Sequence, residues 1–179
     1  MNKMLLGACL LSLAGCASSP DAFTQANPGC KTANAEVDGK PVSTQFCIKS
    51  TVLKPSEYRV RVNDQVLFAG TDYKRVDFTK NLKEGPARVA CNGVVDIQKL
   101  HGKTVALNEL PAELVAGCRI TADAAGNAQP FVKDAACDEV FYKAMYPLLG
   151  PMLPVEVARQ CTVTVAEQTV FDQRFKFEK

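Results

Sequence analysis

Polar and apolar residues alternate over several stretches of the chain, which is the pattern of β-strands that bury one face. The apolar positions of these stretches are Tyr58, Val60, Val62, Cys161, Val163, Val165, Phe171, Phe175 and Phe177. Two dipeptides, Asp38-Gly39 and Asn63-Asp64, separate strand-like segments and favour tight turns between antiparallel strands. The pattern predicts one hairpin across each dipeptide and a third hairpin near the C-terminus.

One segment has the period of an amphipathic helix. Its apolar positions, spaced i, i+3, i+4, i+7 and i+8, are Cys137, Val140, Phe141, Ala144 and Met145. Asp134 is suited to cap the N-terminus of this helix, and Pro147 ends it. The predicted fold class is therefore α+β and mainly β, with antiparallel hairpins that form a sheet or a small sandwich and one helix near residues 135–146.

A short motif occurs twice in the strand-like segments. The first copy is Val60-x-Val62-x-x-Gln65-x-x-Phe68, and the second is Val163-x-Val165-x-x-Gln168-x-x-Phe171. Two explanations account for the repeat. Either the chain contains a duplicated β-rich half, or two amphipathic hairpins built from the same strand-forming residues look alike.

The first residues have the organisation of an export signal. Lys3 is followed by residues 4–14, which are uncharged and largely apolar. A helix needs about 20 residues to cross a bilayer, so this segment is too short to span one. The segment ends in Leu13-Ala14-Gly15-Cys16, which resembles the lipobox of the bacterial lipoprotein family. Cys9 is a weaker candidate because cleavage there would leave only a short apolar segment.

The resemblance to bacterial lipoproteins implies that residues 1–15 are removed and that Cys16 carries the lipid. Ala17 stands where the family's inner-membrane retention signal would be Asp, which implies an outer-membrane anchor that faces the periplasm of a Gram-negative cell. Two or three acyl chains make such an anchor effectively permanent. Small and polar residues dominate the segment after Cys16, so we expect the acylated cysteine and a flexible tether over residues 16–29. A single β-rich globular domain is expected over residues 30–179.

Six further cysteines follow the lipobox, and their spacing contains no CxxC pair of the kind that zinc, thioredoxin-like or haem sites use. They are Cys30, Cys47, Cys91, Cys118, Cys137 and Cys161. An even number of cysteines in an exported protein predicts three disulfides. Pairing of neighbours along the chain costs the least loop-closure entropy, and it predicts Cys30–Cys47, Cys91–Cys118 and Cys137–Cys161.

Composition excludes several classes of protein. The chain is 47% hydrophobic and 22% charged, as in ordinary globular domains. Its 21 basic and 19 acidic side chains give a formal charge of +2, which creates no field that would concentrate nucleic acid. The sequence has neither a P-loop nor a dinucleotide-binding fingerprint. We therefore predict no cofactor, no metal and no nucleic-acid partner.

Candidate catalytic groups are few. His101 is the only histidine, and its neighbours Gly102 and Lys103 favour a solvated turn. The carboxylates available for a catalytic pair are Glu109, Glu113, Asp138, Glu139 and Glu156, and their spacing selects no pair among them. We predict no catalytic residue. The alternative is an envelope hydrolase that uses His101 or a carboxylate pair.

Residues 145–154, MYPLLGPMLP, form the most apolar loop of the sequence, and their three prolines exclude a regular helix or central strand. This loop either covers the core or presents a contact surface to a partner or to lipid. Its apolar side chains are Tyr146, Leu148, Leu149, Met152 and Leu153. Permanent tethering raises the effective concentration of a protein for partners on the same surface. We therefore expect a non-enzymatic binding or envelope-assembly module with a protein or envelope ligand, a class that includes inhibitors and immunity proteins.

Overall fold

The computed structural model describes residues 22–50, 55–72 and 75–177. The strands are β1 Pro28–Val37, β2 Lys40–Lys49, β3 Ser56–Val62, β4 Gln65–Asp72, β5 Val76–Leu82, β6 Gly85–Lys99, β7 Phe131–Lys133, β8 Met152–Val165 and β9 Gln168–Lys176. The helices are α1 Ala22–Gln25, α2 Ala112–Cys118 and α3 Ala135–Met145, with short 3₁₀ turns at Leu100–Gly102, Leu107–Glu109 and Tyr146–Leu148. Within these described ranges, no helix is long and apolar enough to cross a membrane. The predicted signal peptide and Cys16 lie outside the described residues.

The strands form two antiparallel sheets. The first has the order β1-β2-β3-β4, and the second has the order β5-β6-β8-β9 with β7 paired to β6. The sheets pack face to face, so that β1 lies beside β9 and β4 lies beside β5. The predicted mainly β class and the antiparallel hairpins are confirmed. The sequence left open a single sheet or a small sandwich, and the structure is a sandwich.

The core of the sandwich comes from the alternating apolar positions of the sequence. Its largest buried side chains include Phe46, Ile48, Tyr58, Val60, Val62, Val89, Val163, Val165, Phe171 and Phe175. Phe46 and Phe171 stack across the two sheets with ring centroids 5.3 Å apart. The three predicted hairpins are β1-β2, β3-β4 and β8-β9. A fourth hairpin, β5-β6, was not predicted.

The repeated sequence motif occupies equivalent places in the two sheets. Each copy forms the third and fourth strands of its sheet, β3-β4 in one and β8-β9 in the other. Val60 pairs with Phe68 and Val163 pairs with Phe171. Each hairpin has a register shift next to that pair, and it leaves one buried extra residue, Leu67 or Val170. The repeated motif therefore forms the same bulged hairpin in both sheets.

Residues 100–151 form a unit inserted between β6 and β8, and this unit has a hydrophobic core of its own. That core is built around Leu110, Leu114, Ile120, Phe131, Phe141 and Met145. The predicted helix is confirmed as α3, and the Asp134 side chain caps it by accepting the N–H of Cys137 at 3.0 Å. The seven-residue helix α2 packs against α3 and was not predicted.

The structure contains three disulfides, and it corrects two of the three predicted pairings. Cys30 is bonded to Cys47, as predicted. The predicted pairs Cys91–Cys118 and Cys137–Cys161 are wrong, because the bonds are Cys91–Cys161 and Cys118–Cys137. Cys91 and Cys161 lie opposite each other on β6 and β8, with a Cα–Cα distance of 4.1 Å. Cys118 ends α2 and Cys137 lies in the first turn of α3, so their bond joins the two helices of the inserted unit.

The two ends of the sandwich differ. The two-residue turns of all four hairpins lie at one end, where Asn63 donates to Glu84 at 2.7 Å and Gln168 donates to Asp38 at 3.2 Å. The opposite end, the insertion end, carries the inserted unit and the start of β1. Of the predicted tether, residues 22–29 are described, and they contain α1 and the first two residues of β1. The N–H of Ser50 donates to the carbonyl of Asn27 at 3.1 Å, which ties this segment to β2.

Candidate binding surface on the inserted unit

The inserted unit carries an open apolar groove of about 780 Å³ between α2 and the loops on either side of it. Its lining residues are Ala106, Leu107, Asn108, Leu110, Ala112, Val115, Ala116, Ala122, Ala125 and Gly126. Every lining residue belongs to the described part of the chain, and none of them is ionisable. The groove has the size of a small-molecule or side-chain binding site, and small alanine side chains leave it open.

Backbone hydrogen bonds hold the walls of this groove together. The N–H of Leu107 donates to the carbonyl of Gly126 at 2.9 Å, and the N–H of Ala128 donates to the carbonyl of Val105 at 2.8 Å. The carboxylate of Asp123 accepts the N–H of Asn127 at 2.8 Å. This backbone N–H is the main reason that the pKa of Asp123 lies below its usual value. Asp123 is therefore ionised at neutral pH and can hold the loop closed.

The apolar loop over residues 145–154 is partly buried and partly exposed, so it combines the two predicted roles of core cover and contact surface. Met152 is buried, and Leu148 packs against the core of the inserted unit. The side chains of Tyr146, Leu149 and Leu153 are 78%, 54% and 45% exposed. Part of the loop therefore covers the core, and part of it is available for contact.

A fourth exposed side chain lies at the same end of the paired strands β6 and β8. Leu100 is 54% exposed and directly follows β6, whose last residue, Lys99, pairs with Met152. Leu149 bridges to Met152, and Leu153 pairs with Gln98. We call Leu100, Tyr146, Leu149 and Leu153 the apolar tip. Exposed apolar side chains grouped in this way are typical of a contact surface.

The structure brings two of the five candidate carboxylates together, in a small polar pocket at the junction of the sandwich and the inserted unit. The pocket has a volume of about 160 Å³ and is lined by Arg75, Gly93, Val95, Lys133, Asp138, Tyr142 and Glu156. Gly93 leaves room for Glu156, because a Cβ at this position would lie 3.3 Å from the Glu156 carboxyl carbon. No signal in the sequence could have shown this grouping, since its members come from separate elements.

Each of these two carboxylates already holds a cation. Lys133 Nζ lies 2.5 Å from Asp138 Oδ1 and 3.3 Å from the Tyr142 hydroxyl. Burial alone would lower the pKa of Lys133, but these hydrogen bonds outweigh it and raise the pKa above the ordinary value. Lys133 is therefore charged at neutral pH, as an ion pair with Asp138 requires.

The second carboxylate, Glu156, holds the buried Arg159. Arg159 Nε lies 2.6 Å from Glu156 Oε1, and the same guanidinium donates to the Tyr58 hydroxyl in the core. These contacts compensate a charge that is 4% exposed. The pocket thus contains one ion pair within the inserted unit and one on β8, and both carboxylates hold cations, whereas a general acid needs a proton of its own to donate.

The other candidate catalytic groups are dispersed. His101 lies in an exposed 3₁₀ turn with a φ of 66°, and Glu109 pairs with Lys99 at 2.8 Å. Glu113 lies in the first turn of α2, and Glu139 is exposed on α3. Among the described residues, no group of three His, Cys, Asp or Glu side chains could hold a metal ion.

Comparison with known proteins adds no assignment: no family model, no curated protein and no solved structure matches the chain.

Proposed function

We propose that the chain is a lipid-anchored envelope protein, attached to the outer membrane through Cys16 and facing the periplasm, and that it acts as a non-enzymatic binding module. The groove of the inserted unit is its binding surface. The observation that carries this proposal is the chemistry of the groove lining, which combines a volume of about 780 Å³ with ten residues that include no acid, base or thiol. Such a surface can desolvate an apolar ligand, but it offers no group that could transfer a proton or attack a substrate.

The ligand of this groove is an apolar group of an envelope component. Asn108 is the one polar side chain in the lining, and it can orient a ligand through a hydrogen bond. The disulfide Cys118–Cys137 fixes α2, which carries part of the lining, to α3. A prearranged groove loses little entropy on binding, and an inhibitor or immunity protein would use it in the same way as an assembly factor.

Replacement of Cys16 by serine tests the anchor. The Cys16→Ser variant, expressed in a Gram-negative host, should incorporate no labelled palmitate and should be recovered without the membrane fraction, because serine lacks the thiol that receives diacylglycerol. Cys9→Ser is the matched control, and it should be labelled as strongly as the unaltered chain. Labelling of the Cys16→Ser variant would place the lipid on another residue and contradict the proposed anchor.

Site-specific crosslinking tests the groove. A photoreactive p-benzoylphenylalanine in place of Ala116 should give a covalent adduct with an envelope component in illuminated cells, because Ala116 is an exposed member of the lining. The same residue in place of Thr79, which is exposed on β5, is the control and should give none. Adducts of equal yield at both positions, or at neither position, would refute the assignment of the groove.

The second candidate function is an envelope hydrolase. The observation in its favour is that Asp138 and Glu156 line one pocket. Their ion pairs with Lys133 and Arg159 count against it, since both carboxylates are engaged in holding cations. His101 does not line that pocket, so the two catalytic options of the sequence do not combine into one site.

A further inference from the structure

The proposed lipid anchor and the apolar tip lie at the same end of the molecule. β1 begins at the insertion end, with α1 packed beside it, and the chain toward Cys16 leaves from there. Only six Cα steps separate Cys16 from Ala22, and they can span about 20 Å at most. Acylation of Cys16 would therefore hold the insertion end within about 20 Å of the bilayer, whatever path these residues take.

The paired strands β6 and β8 project from this same end. β5 begins opposite Cys91, whereas β6 continues to Lys99. β9 ends at Lys176, which pairs with Ala158 opposite Val94. The five residues 95–99 therefore extend beyond both β5 and β9, which corresponds to about 16 Å of extended strand. This overhang is comparable to the longest possible distance of about 20 Å between Ala22 and the lipid.

We propose that the apolar tip, Leu100, Tyr146, Leu149 and Leu153, is a second membrane contact that rests in the interfacial region of the bilayer. This inference depends on the proposed lipid anchor. Aromatic and aliphatic side chains at the end of two projecting strands enter the headgroup region, where the tyrosine hydroxyl stays hydrated. The tip then orients the sandwich, and it directs the hairpin turns of the opposite end away from the membrane.

The charges around the tip favour a lipid surface as its occupant. Lys103 and Lys143 are exposed and lie close to the tip in sequence, the first in the loop after Leu100 and the second one helical turn before Tyr146. The N–H of Lys99 donates to the carbonyl of Lys103 at 2.9 Å, which closes that loop around Leu100 and His101. Of the two acids that flank this loop in sequence, Asp96 accepts a hydrogen bond from Gln98 Nε2 at 2.7 Å, and Glu109 is paired with Lys99. Basic side chains around exposed apolar ones fit the anionic headgroups of a bilayer.

Tryptophan fluorescence can test this contact site by site, because the chain has no tryptophan of its own. The full acylated protein with Tyr146→Trp is reconstituted into vesicles of phosphatidylethanolamine and phosphatidylglycerol that carry brominated acyl chains. We expect the emission to shift to shorter wavelength and to lose most of its intensity to bromine quenching. Val66→Trp is the matched control, since Val66 is 42% exposed but lies at the turn end. Its emission should stay unquenched.

A third variant shows whether the apolar character of the tip matters. Leu149→Asp combined with Tyr146→Trp should weaken the quenching, because a carboxylate at an exposed position leaves the fold intact but resists entry into the interface. Mass spectrometry and flotation of the same samples report the lipid at Cys16. If the Tyr146→Trp protein is acylated and floats but its emission is unquenched, or is quenched no more than that of Val66→Trp, the tip contact is overturned and the anchor stays in place. A protein that carries no lipid and does not float overturns the anchor, and the tip contact with it.

Discussion

Simultaneous replacement of Cys91 and Cys161 by alanine should lower the free energy of unfolding by about 4 kcal/mol, the largest loss expected from any disulfide of this chain. The bond closes a loop of 70 residues that contains the whole inserted unit. In the reduced or substituted protein this loop gains chain entropy in the unfolded state, whereas the folded state loses only one cross-strand link. Chemical denaturation followed by circular dichroism measures the change.

The bond between Cys30 and Cys47 provides the matched control, since it also joins paired strands but closes a separation of 17 residues. Its removal by the same double alanine substitution should cost about 3 kcal/mol. Peptide mapping of the unreduced protein should recover Cys91 linked to Cys161. Recovery of Cys91 linked to Cys118, or a smaller loss for the Cys91 and Cys161 variant than for the control, would contradict the pairing and its energetic role.

Replacement of Arg159 by alanine should cost about 3 kcal/mol, because it removes a large side chain that is only 4% exposed together with its hydrogen bonds. The guanidinium is bonded to Glu156 and to the Tyr58 hydroxyl, and Tyr58 is only 1% exposed. Without Arg159, the Tyr58 hydroxyl loses the hydrogen bond from the guanidinium, and a cavity forms beside it in the sandwich. Denaturant titration of the folded domain measures the loss.

An exposed arginine in the same sheet shows what an ordinary surface ion pair contributes. Arg88 forms two hydrogen bonds of 2.8 Å with Asp77, and their side chains are 57% and 39% exposed. Solvent screens such a pair, so Arg88→Ala should cost less than about 1 kcal/mol. If Arg88→Ala and Arg159→Ala lower the free energy of unfolding by similar amounts, the burial of Arg159 contributes nothing to stability, which contradicts the prediction.

The hairpins that sequence reasoning found are those whose strands bury one regular face. β3, for example, alternates buried and less buried positions from Ser56 to Val62. β5 was missed because Val76 is its one fully buried residue and the next five positions are exposed. β6 was missed because a register shift places Val94 and Val95 in succession, both of them buried, which interrupts the period of two.

The disulfide error has a quantitative cause. Loop-closure entropy favours a separation of 27 residues over one of 70 by only about 0.8 kcal/mol. Strand register decides the matter, since the ladder between β6 and β8 places Cys91 directly opposite Cys161. Long-range pairing of this kind leaves no trace in the spacing of cysteines along the chain.

The candidate site was only partly predictable. The apolar loop around Tyr146 was visible because large apolar residues and prolines rarely occur together. The groove was not visible, because alanines such as Ala106 and Ala116 produce no pattern and their value lies in the space that they leave. The polar pocket could not be predicted for another reason. Lys133 and Glu156 line the same pocket only because β7 and β8 both pair with β6.

Lys99 and Met152 stand across from each other in the ladder between β6 and β8. The chain therefore departs from the sandwich and returns to it at neighbouring positions, and all eight long strands lie outside the inserted unit. Val95, Ile97 and Met152 of these strands contribute to the hydrophobic core of the inserted unit, and Gly93, Val94 and Val95 pair with its strand β7. The inserted unit can thus be exchanged for another at this joint by changing a small set of positions on β6 and β8, both in evolution and by protein engineering.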